Sequence, residues 1–386
     1  MKKIFCWVLM MLNVGTNVHA FDPDQIQIHG FVSQGYLISD NNDYMWTETE
    51  DGSFQFNEMG INFATQLTDD LRVGLQFLSR DLGEIGNNEV ELDWAFADYH
   101  FRDWLGLRVG RMKLRYGFYN QSRDIDAART WILLPMSVYD ELTRELYTSV
   151  TGIGIYGEIH GGLSYEFQIG PFDLDEKSGL AKMTSDPARE DLISIDSESD
   201  NLVLGLEWKT PLEGLKIGAT YKKEESSVEA NTLEIPPVPI SRNNKAKITT
   251  GSVEYAYEDF VFSAEYRHRE LNIRMGERTL VKDRCEEGYY AAVQYRFTDW
   301  LELGSYYAVI YADKDDKNGD GYEARGLPRE EAWQKDIALS ARFDINDYWI
   351  FKLESHFMDG LYRVDYDPSD PEDQWILFAA KMTFSF

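Results

Sequence analysis

The chain reads as all-β: a transmembrane antiparallel β-barrel of about 16 strands, closed by short turns at one end and long loops at the other. Three observations predict this. A tight-turn phrase recurs seven times, alternating polar and apolar residues flank each copy, and no apolar run beyond the N-terminus approaches the ~20 residues of a membrane helix.

The N-terminus comes first. Lys2 and Lys3 precede an apolar stretch from Ile4 to Leu12, and small and polar residues follow to Ala20. This is the layout of a secretory signal occupying residues 1–20 and cut after Ala20, since the apolar run is too short to anchor in a bilayer. Residues 21–386 are then the barrel. Cys6 leaves with the signal, so Cys285 is the one cysteine remaining and no intramolecular disulfide forms. Its setting, KDRCEEG, reads as a polar loop.

The turns set the strand count. FRDWLGLRVG (101–110) is echoed by FTDWLELGSY (297–306). Further versions are LTDDLRVG (67–74), IHGGLSYE (159–166), PLEGLKIG (211–218), YEDFVFSA (257–264) and INDYWIFK (345–352). In each, an apolar residue ends one run, a polar pair turns the chain and an apolar or aromatic residue opens the next. The stretches between them, residues 40–53, 82–89, 115–148, 173–199, 228–246, 274–286, 314–332 and 365–373, are longer and polar. Seven short and eight long connections join sixteen strands and leave both termini at the short-turn end.

The strands alternate. In QWILFAAKMTFSF, Ile376, Phe378, Ala380, Met382, Phe384 and Phe386 share one face, and Leu377, Ala379, Lys381, Thr383 and Ser385 lie on the other. Met59, Ile61, Phe63 and Thr65 oppose Glu58, Asn62 and Gln66, and Ile337, Leu339, Ala341 and Phe343 oppose Asp336, Ser340 and Arg342. Strands of ~10 residues tilted by ~40° give an apolar band ~25 Å tall, and Trp104, Trp300, Tyr348 and Trp349 at the short turns suit a membrane interface. Short turns at one end and long loops at the other is the construction of outer-membrane barrels, with the turns periplasmic and the loops extracellular.

Composition narrows the partners. A formal charge of -29 repels phosphate backbones, so nucleic acid is not an expected partner. Hydrocarbon offers no hydrogen-bond partners, so the sheet must close. Sixteen strands enclose more space than their side chains fill. The lumen is expected to hold water and pass small hydrophilic solutes and ions.

These features resemble Gram-negative outer-membrane porins, and the aromatic-rich last strand ending in Phe386 is similar to the terminal strand read by the barrel assembly machinery. More narrowly, GRMKLRYGFYN (110–120) resembles the G-[KR]-x-K-x-P-[FY]-G segment of phosphate-selective porins: Gly110, Arg111, Lys113, Tyr116 and Gly117 match, with Arg115 in the place of proline. The resemblance implies a passive diffusion channel in the cell outer membrane, not an enzyme, surrounded by lipid and lipopolysaccharide and assembled as a homotrimer. It also implies that loop 115–148 folds inward and narrows the bore. That loop carries Arg115, Arg123, Asp124, Asp126 and Arg129, the candidate constriction charges, around an apolar ILLPMSVY centre.

On the polar phase of the strands, Arg72, Arg108, Glu207, Arg267, Arg296 and Arg342 are candidate lumen charges, because Arg or Lys facing lipid near the midplane costs ~2–4 kcal/mol. No cofactor is required. In the loop 313–327, Asp316, Asn318, Asp320 and Gly321 fit the start of a calcium loop, with Leu327 where the bidentate Glu would stand. Two other readings compete: an outer-membrane barrel enzyme of lipase or protease type, for which no nucleophile motif appears, and a soluble all-β binding protein.

Overall fold

The computed structural model describes residues 25–45, 47–83, 85–171, 192–232, 239–275 and 280–386. The expected signal, residues 1–20, lies outside the described residues.

The first strands are β1 (Gln27–Ser39), β2 (Phe56–Gln66), β3 (Leu71–Leu82), β4 (Val90–Arg102) and β5 (Leu105–Lys113). After the long connection come β6 (Ser149–Ile159), β7 (Leu163–Gly170), β8 (Leu192–Lys209), β9 (Leu215–Thr232), β10 (Pro239–Tyr257) and β11 (Phe260–Met275). The chain ends with β12 (Leu280–Thr298), β13 (Leu301–Tyr311), β14 (Trp333–Asp344), β15 (Trp349–Gly360) and β16 (Gln374–Ser385). Each pairs antiparallel with its sequence neighbours, and β1 pairs with β16, so the sixteen strands form a closed barrel. All seven expected turns join consecutive strands.

Closure runs to the last residue. Gly30 and Phe386 exchange both backbone hydrogen bonds at 3.0 Å. A Cβ at Gly30 would sit 2.5 Å from the Phe386 ring, so the seam depends on a glycine where the terminal aromatic crosses.

Alternation sorts the faces as expected. Leu339, Ile337, Ile376, Phe378, Leu204, Leu206 and Phe262 are exposed on the outer wall. Their sequence neighbours Ala338, Ser340, Leu377, Ala379, Val203 and Ser263 are buried within the barrel. In water such an outer surface would be a large unpaid cost; in hydrocarbon it is the matching one.

Two expectations are corrected. Strand length is not uniformly ~10 residues: β8 to β12 run 16–19 residues, against 8–13 for the other strands. The connections expected over 228–246 and 274–286 shrink accordingly to 233–238 and 276–279. Above the outward tyrosines Tyr221, Tyr266 and Tyr307, outward positions become charged and pair with one another, as in Lys223 with Glu225 and Lys247 with Glu270. One side of the barrel therefore carries a hydrated wall roughly 20 Å higher than the band. Cys285, expected in a loop, lies in β12, paired with Glu270.

Candidate functional site in the barrel lumen

Residues 114–148 leave β5 and return to β6, with the base closed by a bond from the Leu114 amide to the Thr148 carbonyl. Asn120 spans that base, its amide donating to the carbonyls of Leu114 and Tyr147 at 2.9 and 2.6 Å. Gly117 turns the chain at φ +53°, a conformation that costs L residues energy. From there the segment lies against the inward side chains of the far wall.

The attachments are charged and specific. Phe118 donates its amide to Glu265 at 3.0 Å, and the Tyr139 and Tyr290 hydroxyls donate to the same carboxylate. The amides of Ile132 and Leu133 both donate to Glu354 at 2.9 Å. Lys352 donates to the carbonyls of Asp126 and Trp131, and Arg342 to that of Ala127. Between these anchors, Trp131, Leu134, Val138 and Leu146 pack on Ile248, Leu271, Tyr306 and Ala338 of the wall. Ile132, Leu133, Met136 and Leu142 pack on Leu37, Phe56, Met358 and Trp375. Where width alone left space for water, a loop with its own apolar core fills much of the cross-section.

The loop's own charges are paired inside it. Asp124 is bound by Lys113 and Arg144. Burial would raise its carboxyl, but those cations, with Arg123, hold it well below the carboxylate range. Burial acts the same way on Asp126, and Lys381, Lys352 and Arg129 likewise hold it far down. Desolvation would raise the partly buried Glu141 too, but Arg123, Arg144 and Arg80 pull it down to about 2. Of the five loop residues singled out from sequence, Arg123, Asp124, Asp126 and Arg129 are thus buried in ion pairs. Arg115 is partly exposed, 2.5 Å from Glu207 and 3.2 Å from Gln121.

Arg115 borders a cavity of about 940 Å³ at the short-turn end, also lined by Tyr156, His160, Ser164, Glu166 and Gly205. Arg108 lies between Asp98 and Glu166 at 3.0 and 3.1 Å, its guanidinium over the rings of Phe96 and Tyr156. Arg296 bridges Glu302 and Asp344, and Arg342 joins the same Asp344. Arg72 shares the inward phase of β3 and is exposed near its turn. Arg267 is fully buried beside Glu286. The interior is therefore lined by both signs of charge.

One arrangement escaped sequence reading. His356 is buried with Nδ1 3.0 Å from Asp336 and Nε2 3.0 Å from Glu354, and Tyr306 donates its hydroxyl to Asp336. The only available signal was that His356 shares the inward phase of β15 with Glu354 and Lys352. With carboxylates on both nitrogens, the ring carries protons outward on each side and has no lone pair free to activate a nucleophile. In the loop 313–327, Asp320 pairs with Arg329 at 2.7 Å, and Asp316 accepts the Gly321 amide. Among the described residues no three acidic, His or Cys side chains group as a metal cluster.

A closed sixteen-strand barrel with an apolar outer belt and a charged, loop-filled interior defines the class: an outer-membrane β-barrel. No family model and no curated protein matches the chain. Solved structures do match in fold. A loop L8 deletion mutant of OmpT, an outer membrane protein of Vibrio cholerae, superposes with a TM-score of 0.59 at 13% identity, covering 94% of this chain and 99% of that one. The outer membrane channel DcaP of Acinetobacter baumannii gives 0.56 at 9%, covering 94% and 97%. An anion-selective porin from Comamonas acidovorans gives 0.53 at 10%, covering 94% and 99%.

Proposed function

We propose that the protein is a porin: a passive diffusion channel for small hydrophilic solutes and ions across the outer membrane. The observation that carries this reading is the interior itself. Charged residues of both signs, Arg108, Glu166, Arg115 and Glu207, surround a cavity opening at the short-turn end, inside a wall whose outer face is apolar. A water-lined path with alternating charge accommodates hydrated solutes without a dedicated binding step.

Within it, residues 114–148 form the constriction. Arg115 faces the path, and Arg123, Asp124, Asp126 and Arg129 hold the loop in place. Arg72, Arg108, Glu207, Arg296 and Arg342 set the field along the lumen. His356, with a carboxylate facing each ring nitrogen, is not placed to serve the enzyme reading as a general base. Calcium in the loop 313–327 fits poorly, since Arg329 would first have to release Asp320. Signal removal after Ala20 rests on the layout of residues 1–20, while assembly by the barrel machinery, contact with lipopolysaccharide and a homotrimeric state rest on the resemblance; a native gel in mild detergent tests the trimer.

Conductance decides the main point. Purified protein added to a planar bilayer should give discrete ohmic steps whose reversal potential in a salt gradient reports ion preference. A protein that folds into vesicles yet never raises membrane current would end the porin reading.

A further inference from the structure

Four guanidiniums converge on one carboxylate near the long-loop end of the lumen. Arg267 and Arg269 of β11, Arg284 of β12 and Arg363 from the last loop all lie 3.3–3.8 Å from Glu286. The other carboxylate in the group, Asp140 of the inserted loop, pairs with Arg363. The adjoining Lys222 and Glu224 pair with each other at 2.9 Å and cancel. Four cations thus face two anions, in a chain whose overall charge is strongly negative.

The excess falls on particular atoms. Arg284 is well satisfied: it also donates to the Ala312 carbonyl and to the Tyr362 hydroxyl. Arg267 is not. It is fully buried, with the Tyr116 phenol beside it and a single carboxylate contact, to Glu286 at 3.5 Å, and its Nε and Nη1 have no hydrogen-bond acceptor. Arg269, 4% exposed, leaves Nε unpartnered, and so does the buried Tyr147 hydroxyl. Tyr147 belongs with them: burial raises its phenol, and the charges of Arg269 and Arg267 are what pull it back. A buried guanidinium with most of its donors idle is strongly unfavourable, and buried polar groups in folded proteins are nearly always paired.

We propose that Arg267, Arg269 and the Tyr147 hydroxyl hold a small inorganic anion, a halide or a tetrahedral oxyanion, as a resident ligand clamped between wall and loop. Such an anion removes one or both of the uncompensated charges and gives the idle N–H and O–H donors an acceptor. Tyr147 lies in the inserted loop and Arg267 in β11, so the ligand ties the two together. The inference stands apart from conduction: the site can exist whether or not the barrel passes current.

The test is anion-specific stabilisation of the full chain in detergent. Starting from gluconate buffer, saturating sulfate or bromide at matched ionic strength should raise the unfolding midpoint by roughly 5 °C. Comparing the two salts separates oxyanion from halide. Arg267→Met should abolish the rise, and Arg329→Ala, on the exposed rim, should keep it. An equal response to gluconate, or a rise that survives Arg267→Met, overturns the proposal. Should Arg267→Met fail to fold, wild-type crystals grown in bromide and in selenate decide: an anomalous peak beside Arg267 in either supports the site, and its absence at saturating concentrations of both overturns it.

Discussion

Glu354 of β15 accepts the backbone amide of Ile132, 222 residues earlier in the chain, at 2.9 Å. The same carboxylate takes the Leu133 amide, the Ser340 hydroxyl and His356 Nε2, so one buried side chain fixes the tip of the inserted loop to the wall. Glu354→Ala should leave two buried amides and an imidazole without their acceptor, at a cost of about 2–5 kcal/mol. Urea unfolding in detergent measures the loss, and bilayer recordings should show larger, noisier steps as the loop loosens. Unchanged stability and conductance would mean that the loop is held elsewhere.

The loop should stay docked over a wide pH range. Glu141 is depressed from its ordinary value to about 2, and Asp124 is also depressed, by the cations around each. A carboxylate with a lowered folded-state pKa contributes stability that is complete above its unfolded value, near 4.5 for Glu141, and is lost as pH falls through the folded value. For Glu141 alone this is at most about 3 kcal/mol. Gating noise should therefore be flat from pH 7 down to about 4.5 and rise as pH approaches 2. Loosening already complete at pH 4.5, where ordinary carboxylates titrate, would contradict this assignment.

At the short-turn mouth, Arg115 is the partly exposed member of the loop's charge set, and its pairing with Glu207 neutralises an acid on the path. Arg115→Ala leaves Glu207 and Glu166 facing the cavity without that compensation. The reversal potential should shift toward cation preference by roughly twofold in permeability ratio, more at low salt than at high, as screening requires. A shift toward anions, or none, would remove Arg115 from the path.

Much of the barrel was legible because its cause is local. Each turn phrase, such as the one around Trp104, carries its own polar pair and flanking alternation, so sixteen strands could be counted without any tertiary knowledge. The tall wall was not, because KKEESSVEANT (222–232) is polar on both phases of β9, so the period-2 contrast between an apolar and a polar face disappears. The site was least legible. Glu354, His356 and Asp336 look like single scattered residues, and only closure of the barrel places them under Ile132. Likewise Arg267 and Arg363 are 96 residues apart, and nothing near either announces Glu286 between them.

Gly117 offers a sharper test of loop docking. At φ +53°, a Cβ would lie 2.3 Å from the Tyr139 hydroxyl and 2.8 Å from Glu265 Oε1, two atoms of the same buried anchor. Gly161, at φ +96° in a short turn, has nothing within 4 Å. Gly117→Ala should therefore cost more than the backbone term of about 1 kcal/mol, roughly 2–4 kcal/mol in all, and Gly161→Ala only that term. Comparing the two unfolding midpoints isolates the steric part. Equal losses would place Tyr139 and Glu265 too far from Gly117 to matter.

The membrane itself is tested at Leu339. It is 51% exposed on the outer face of β14, while its neighbour Ser340 is buried inside and donates to Glu354. In water an exposed leucine exchanged for arginine is nearly neutral or helps solubility. In hydrocarbon the guanidinium must be dehydrated or must drag water and headgroups inward, at ~2–4 kcal/mol near the midplane. Glu270, on the hydrated wall above the outward tyrosines, supplies the contrast: Glu270→Arg should change folding by no more than about 0.5 kcal/mol. Folding into lipid vesicles, followed by urea titration, reads both. Should Leu339→Arg prove as harmless as Glu270→Arg, the apolar belt does not face lipid, and a barrel that keeps water only on its inside is the wrong description.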